Sequence, residues 1–246
     1  MQEDKIYLKV LKDNWTHNDL TYIKGYNEVK NFVETGSCVP GRIYFCDPSD
    51  KSQNICRYLH YGDILVDITL PIRDPDFKMI IDPSGGKSAS NKIIIGQERN
   101  LSDPKTFEYM ASCGVDISKN YVFKWALDKN YWDVVLYLVT IVPLTSSRIG
   151  LIEYVLTNLS KKIKCTGSKN YKELSNIELI IIDITKIYIK LISNSVVEKN
   201  EIFFNLIEII KFSLKEYKTI IKNYGFKLHL LKIYKIISDI ENYAEQ

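Results

Sequence analysis

Backbone punctuation constrains this chain more than any other feature of its sequence. All seven prolines lie at or before Pro143, and eight of the eleven glycines lie at or before Gly114. Proline removes a backbone donor and collides with the preceding helical turn, while glycine weakens a helix interior by about 1 kcal/mol. The C-terminal part is therefore free to be helical, and the N-terminal part is cut into pieces too short for long helices.

Within the punctuated part, short β-branched and aromatic runs alternate with turn formers, the pattern of strands. The runs cover residues 7–11, 43–46, 64–70, 79–81 and 92–95, and residues 54–59 read as a short helix. Turns fall at Gly36, Pro40-Gly41, Tyr61-Gly62 and Pro83-Ser-Gly-Gly86, where glycine supplies the positive φ that tight turns need. At Ser102-Asp103-Pro104 the texture changes, because Asp at an N-cap followed by Pro at the first helical position is a strong helix start. Phe107, Met110 and Ala111 share one face, and Gly114 stops the helix after about ten residues. A second helix is predicted over residues 120–129, with Val122, Trp125 and Ala126 on one face, and a third over residues 132–139, carrying Val135, Leu138 and Val139. Beyond Pro143 the apolar spacing predicts four more helices, striped from Ile152 to Ile163, Ile177 to Ile192, Phe203 to Ile221 and Phe226 to Ile240.

Composition narrows the class. Apolar residues make up 46% and charged residues 26%, as in an ordinary globular chain, so a folded protein is expected. A net charge of +3 gives no nucleic-acid footprint, which would gather basic residues on one surface. Five cysteines, Cys38, Cys46, Cys56, Cys113 and Cys165, are an odd number with no C-x-x-C spacing, and read as thiols. The first twelve residues are charged and alternating, unlike a signal peptide, and Asp183, Lys186 and Lys190 interrupt the longest apolar stretch, so no membrane span is expected.

Two groups of segments resemble a known family. Residues 103–117, from Asp103-Pro-Lys-Thr-Phe to Gly114-Val-Asp-Ile117, resemble the second helix and exit loop of an ankyrin repeat. Residues 121–139 resemble the next repeat, with Ala126, Asn130 and Val134-Val135-Leu136-Tyr137-Leu138 in the characteristic places, but Tyr131 where the turn usually has glycine. Upstream, Gly36-Ser-Cys-Val-Pro-Gly-Arg-Ile-Tyr-Phe45, Tyr61-Gly62, Asp67-Ile-Thr-Leu-Pro71 and Lys92-Ile-Ile-Ile95 resemble the module that precedes ankyrin repeats in proteins of giant, mimivirus-like DNA viruses. Those relatives tend to have a second glycine where Arg42 stands. About one and a half repeats are recognisable, and since about three are needed for a stable stack, the later helices are expected to supply the rest.

Other motifs carry bland readings. Pro83-Ser-Gly-Gly-Lys-Ser88 lacks the leading glycine and following helix of a phosphate-binding loop and reads as a surface turn. His17, His60 and His229 are too scattered for a metal site, so neither a metal nor another cofactor is expected. The lysines of residues 161–164 and 215–227 alternate with acids, as a solvated helix face does.

The fold expected is α+β: a small mixed α/β N-terminal module, residues 1–101, followed by an all-α helical array of degenerate ankyrin-like repeats, residues 102–246. The resemblance implies a viral protein-interaction module without catalytic activity, binding a host or viral protein in the host cytoplasm or virion, with oligomeric state left open. Trp132, Arg148, Asp116 and Lys119 are the expected contact residues. One alternative is a ligand-binding or catalytic cleft in the N-terminal module joining Cys38, Arg42, Tyr44 and His60. The other is weak nucleic-acid binding by the basic C-terminal helices, which would fall steeply with salt.

Overall fold

The computed structural model describes residues 5–17 and 19–141, together with the isolated positions 215, 235 and 238. In chain order its strands are β1 (Tyr7–Leu11), β2 (Thr16–His17), β3 (Leu20–Thr21), β4 (Gly25–Glu28) and β5 (Ile43–Phe45), a 3-10 helix (Ile55–Tyr61), then β6 (Ile64–Thr69), β7 (Met79–Ile81), β8 (Ser88–Ser90) and β9 (Lys92–Asn100). Three helices follow: α1 (Pro104–Ser112), α2 (Asn120–Asp128) and α3 (Trp132–Ile141). A β-rich region followed by helices is the expected class. The helical stripes beyond Pro143, the lysine clusters among them, and Arg148 lie outside the described residues, save Lys215, which is helical.

The strands form a four-stranded sheet in the order β1-β6-β9-β4, a three-stranded sheet β5-β8-β7 and the small hairpin β2-β3. All pairings are antiparallel. Leu8 and Cys46 exchange backbone hydrogen bonds of 2.9 and 2.8 Å, which hooks the three-stranded sheet onto the free edge of β1. Both sheets then share one core, to which β1 gives Leu11, β5 gives Ile43 and Phe45, β6 gives Val66 and Ile68, and β9 gives Ile93 and Ile95. Each such side chain contributes about 1.5–3 kcal/mol on burial.

Helix boundaries follow from caps. The Asp103 carboxylate accepts a 2.9 Å hydrogen bond from the Lys105 amide, with Pro104 at the first helical position. At the other end Gly114 takes φ +97, its amide bonds to the Ala111 carbonyl, and the Val115 amide reaches back to Met110. This is a Schellman closure, with Met110 and Val115 both buried. Helix α2 ends in the same way: the Asn130 amide bonds to Leu127 and that of Tyr131 to Ala126. The left-handed residue there is Asn130, at φ 59. The glycine position of the family's turn is thus filled by Asn130, one residue before Tyr131, and Asn tolerates that conformation better than most side chains.

Arg42, where the resemblance implies a second glycine, is built into the module as a buried clip. Its side chain is fully buried, donates to the carbonyls of Val33, Thr35 and Gly36, and lies 3.6 Å from Asp82. Gly41 stays indispensable beside it, since it sits at φ +79 and a Cβ there would lie 2.6 Å from the Asn31 carbonyl oxygen. The chain divides into two compact units, Met1–Val135 and Leu136–Gln246. Both sheets, α1 and α2 belong to the first.

Candidate functional site

A cavity of about 130 Å³ opens among β1, β5, the 3-10 helix and the turn between β7 and β8. Lys9 forms its deep end. The residue is only 2% exposed, because the hook at Leu8 and Cys46 covers a strand face that alternation alone would leave in solvent. Its Nζ donates to the Tyr44 carbonyl at 2.9 Å, lies 2.9 Å from His17 Nδ1 and sits 4.9 Å from the centre of the Tyr22 ring. Burial brings the Lys9 ammonium down to about 7, against a small opposing pull from Cys46. Burial, reinforced by Lys9, brings His17 down to about 3, so its imidazole is neutral.

The mouth carries Cys38 and Lys87. Cys38 is exposed at φ 53, and its Sγ accepts a 2.8 Å hydrogen bond from Lys87 Nζ. That hydrogen bond, with a second from Ser37, holds the thiol below its usual range. Lys87 also sits over the Tyr44 ring at 4.7 Å and the Tyr58 ring at 5.7 Å. Phe45, Ile55 and Tyr61 complete the apolar wall. The glycine-rich stretch at residues 83–88 is the turn that brings Lys87 here, with Gly85 and Gly86 at φ +73 and +77.

Of the four groups expected around an N-terminal cleft, the structure brings Cys38 and Tyr44 to this cavity. Arg42 is buried as a loop clip. His60 stacks on the Tyr61 ring at 4.2 Å but lines a different groove, and His17 stands in its place at the cavity. Lys9, His17 and Lys87 are the groups that sequence reasoning missed. Nothing in Tyr7-Leu-Lys-Val-Leu11 marks Lys9 as buried.

A second, more open groove of about 640 Å³ runs between the 3-10 helix and α2. Among the described residues Arg57, His60, Lys124 and Lys129 line it against one acid, Asp128. Trp125 also lines it, its ring against Phe107 and Tyr131, and its buried Nε1 has no hydrogen-bond acceptor among the described residues. Among the expected contact residues, Trp132 is half-buried at the start of α3, and Asp116 and Lys119 form an exposed ion pair of 2.8 Å before α2. Asp116 is anchored from behind, since its carbonyl accepts a hydrogen bond from Asn54. Among the described residues no group of His, Cys, Asp and Glu could hold a metal ion, and no helix is long and apolar enough to cross a membrane. Cys38, Cys46, Cys56 and Cys113 are free thiols.

A β-rich module followed by short helices that close with left-handed turns defines a degenerate ankyrin-type protein with an N-terminal module. The chain belongs to the ankyrin-repeat-related proteins of Acanthamoeba polyphaga mimivirus. It is 59% identical over 167 residues to ankyrin repeat protein L100 of that virus, covering 68% of this chain and 27% of L100. It is 32% identical over 171 residues to ankyrin repeat protein R868, covering 68% of this chain and 73% of R868. With the uncharacterised protein R869 it shares 39% over 136 residues, which is 53% of this chain and 95% of R869. The chain thus spans about a quarter of the length of L100. No family model and no solved structure matches it.

Proposed function

We propose that this chain is a protein-interaction module that binds a host or viral protein through its helical part, in the host cytoplasm or the virion, and performs no chemistry there. The observation that carries the reading is the α2–α3 pair, which closes through a left-handed Asn130 in a chain of ankyrin-repeat relatives. Ankyrin arrays expose long faces suited to recognition. In this reading the working division falls at residues 101/102. The contact edge comprises Asp116, Lys119 and Trp132, with Arg148 further along the chain, and the basic groove beside α2 extends it. The test is affinity capture from infected amoebae with the full chain and with a charge-reversed variant, Asp116→Lys, Lys119→Glu and Lys124→Glu, whose fold is checked by circular dichroism. Specific partners should fall at least several-fold in the variant, in line with exposed charges that steer association. Partners retained in full by this variant, or replaced by nucleic acid released steeply with salt, would end the reading.

A further inference from the structure

We propose that the cavity of the N-terminal module is a binding site for a small organic carboxylate with a flat, apolar body about one ring in size. The inference is independent of protein binding by the helices. The charges at the cavity come first. Lys9 and Lys87 line it, and among the described residues no Asp or Glu does. The nearby carboxylate of Asp82 is already engaged by Arg42, Ser37 and Ser84.

Lys9 carries the argument furthest. An ammonium is costly to bury unless an opposite charge accompanies it. The partners of Lys9 are neutral: a carbonyl oxygen and an imidazole nitrogen occupy two of its three donors, and the third has no oxygen partner among the described residues. Among the described residues no carboxylate forms an ion pair with it, although Lys92, nearly as buried on the same sheet, is paired with Asp74 at 2.7 Å. A buried cation that opens onto a cavity without a counter-ion is completed by an anion from outside. His17, which also lines the cavity, lies 2.9 Å from the Lys9 Nζ and fixes its position.

Size and wall chemistry specify the rest of the ligand. About 130 Å³ is close to the roughly 150 Å³ of an engineered apolar cavity that holds benzene. Phe45, Ile55 and the rings of Tyr44 and Tyr58 offer flat apolar contact, and Lys87 at the mouth adds a second positive charge. A carboxylate reaching Lys9 with a ring against this wall meets each group with its complement.

The experiment uses the whole chain and two probes of equal shape, benzoate and neutral benzamide, followed by NMR chemical-shift titration. Benzoate should saturate with shifts confined to residues around the cavity, and bind at least about tenfold more tightly than benzamide, an energetic difference of about 1.4 kcal/mol. Lys9→Met, which fills the same space without charge, should abolish that preference. Lys87→Met, at a half-buried position, should weaken benzoate about three- to tenfold and leave the fold intact. Equal binding of the two probes, unchanged benzoate affinity in both variants, or no saturable shift at all would overturn the proposal.

Discussion

The buried ion pair of Arg42 and Asp82 clips the loop of residues 33–38 to the start of β5. Arg42 bridges three carbonyls of residues 33–36, and Asp82 receives hydrogen bonds from Ser37, Ser84 and the Cys38 amide. Burial alone would raise the Asp82 carboxyl, but these hydrogen bonds outweigh it and hold the group well below the usual carboxylate range. Its stabilisation is therefore complete above about pH 4, where an unfolded aspartate ionises, and is lost as acid protonates the folded form. Asp82→Ala leaves Arg42 buried without its partner and should cost about 3–5 kcal/mol, measured by urea unfolding at pH 7. Lys9 destabilises the fold where Asp82 stabilises it, yet its pH dependence has the same sign. In the unfolded chain it keeps its proton up to about pH 10, but in the fold it releases it at about 7, so between these values the unfolded state binds more protons and stability climbs with pH. His17, Tyr22 and Cys46 face its ammonium, none of them anionic at neutral pH, and Tyr44 offers it a carbonyl oxygen. Lys9→Met should accordingly stabilise by roughly 2–4 kcal/mol at pH 7 or below, and the gain should fade as pH approaches 10. A gain that persists at pH 10 would show that Lys9 is not destabilised by burial. The same residue explains why the site was illegible in the sequence: periodicity describes a single strand, whereas the burial of Lys9 depends on a second strand hooking over it from 35 positions away.

Elements announced themselves where local chemistry decides them. Asp103-Pro104 and Gly114 fix both ends of α1 through their own hydrogen bonds, so reading them required no tertiary knowledge. Strands β1 and β7 have the bounds that alternation indicates, and β5 and β6 end one residue sooner. Strands β2 and β3 were invisible because they are only two residues long, and β4 because Gly-Tyr-Asn-Glu carries no β-branched run. Strand β8 is Ser-Ala-Ser, buried but without apolar signal, and owes its state to lying between β5 and β7. Strand β9 runs past Ile95 to Asn100 although Gln97-Glu-Arg-Asn100 is polar, because its second half still pairs with β6 along residues 64–66. Two substitutions test the local devices. Asp103→Ala should remove about 1 kcal/mol, the usual worth of an N-cap side chain, and shorten α1 in amide exchange. Asn130→Val should cost about 1–2 kcal/mol, since a β-branched residue resists φ 59, while Tyr131→Val should cost no such backbone strain. If the two valine variants were equally destabilised through the backbone, the left-handed position would have been assigned to the wrong residue.

At the scale of the first compact unit, carboxylates along and beside β6 bind the sheet to the helices that follow. Asp63 accepts hydrogen bonds of 2.8 Å from both Lys129 and the Tyr131 hydroxyl, and Asp67 accepts from Tyr109 at 2.8 Å and pairs with Arg99 at 2.7 Å. The Arg99 guanidinium lies 3.4 Å from the centre of the Tyr109 ring, and Asn54 holds the loop before α2 through the Asp116 carbonyl. None of the hydrogen bonds and ion pairs is foreshadowed by spacing, since their partners lie between 32 and 68 positions apart. They leave α1 and α2 with no independent route to unfolding: opening either helix exposes the apolar face of the other and strips hydrogen bonds from the carboxylates on and beside β6. Residues 5–135 should therefore unfold as one cooperative block. Tyr109→Phe removes only a hydroxyl, at the α1 end of this network, and should destabilise by about 1 kcal/mol. In native-state hydrogen exchange the slowest amides of β6 and of α2 should lose that protection equally, although α2 does not touch the deleted hydroxyl. Loss confined to α1, with β6 and α2 unchanged, would mean that the helices open separately from the sheet.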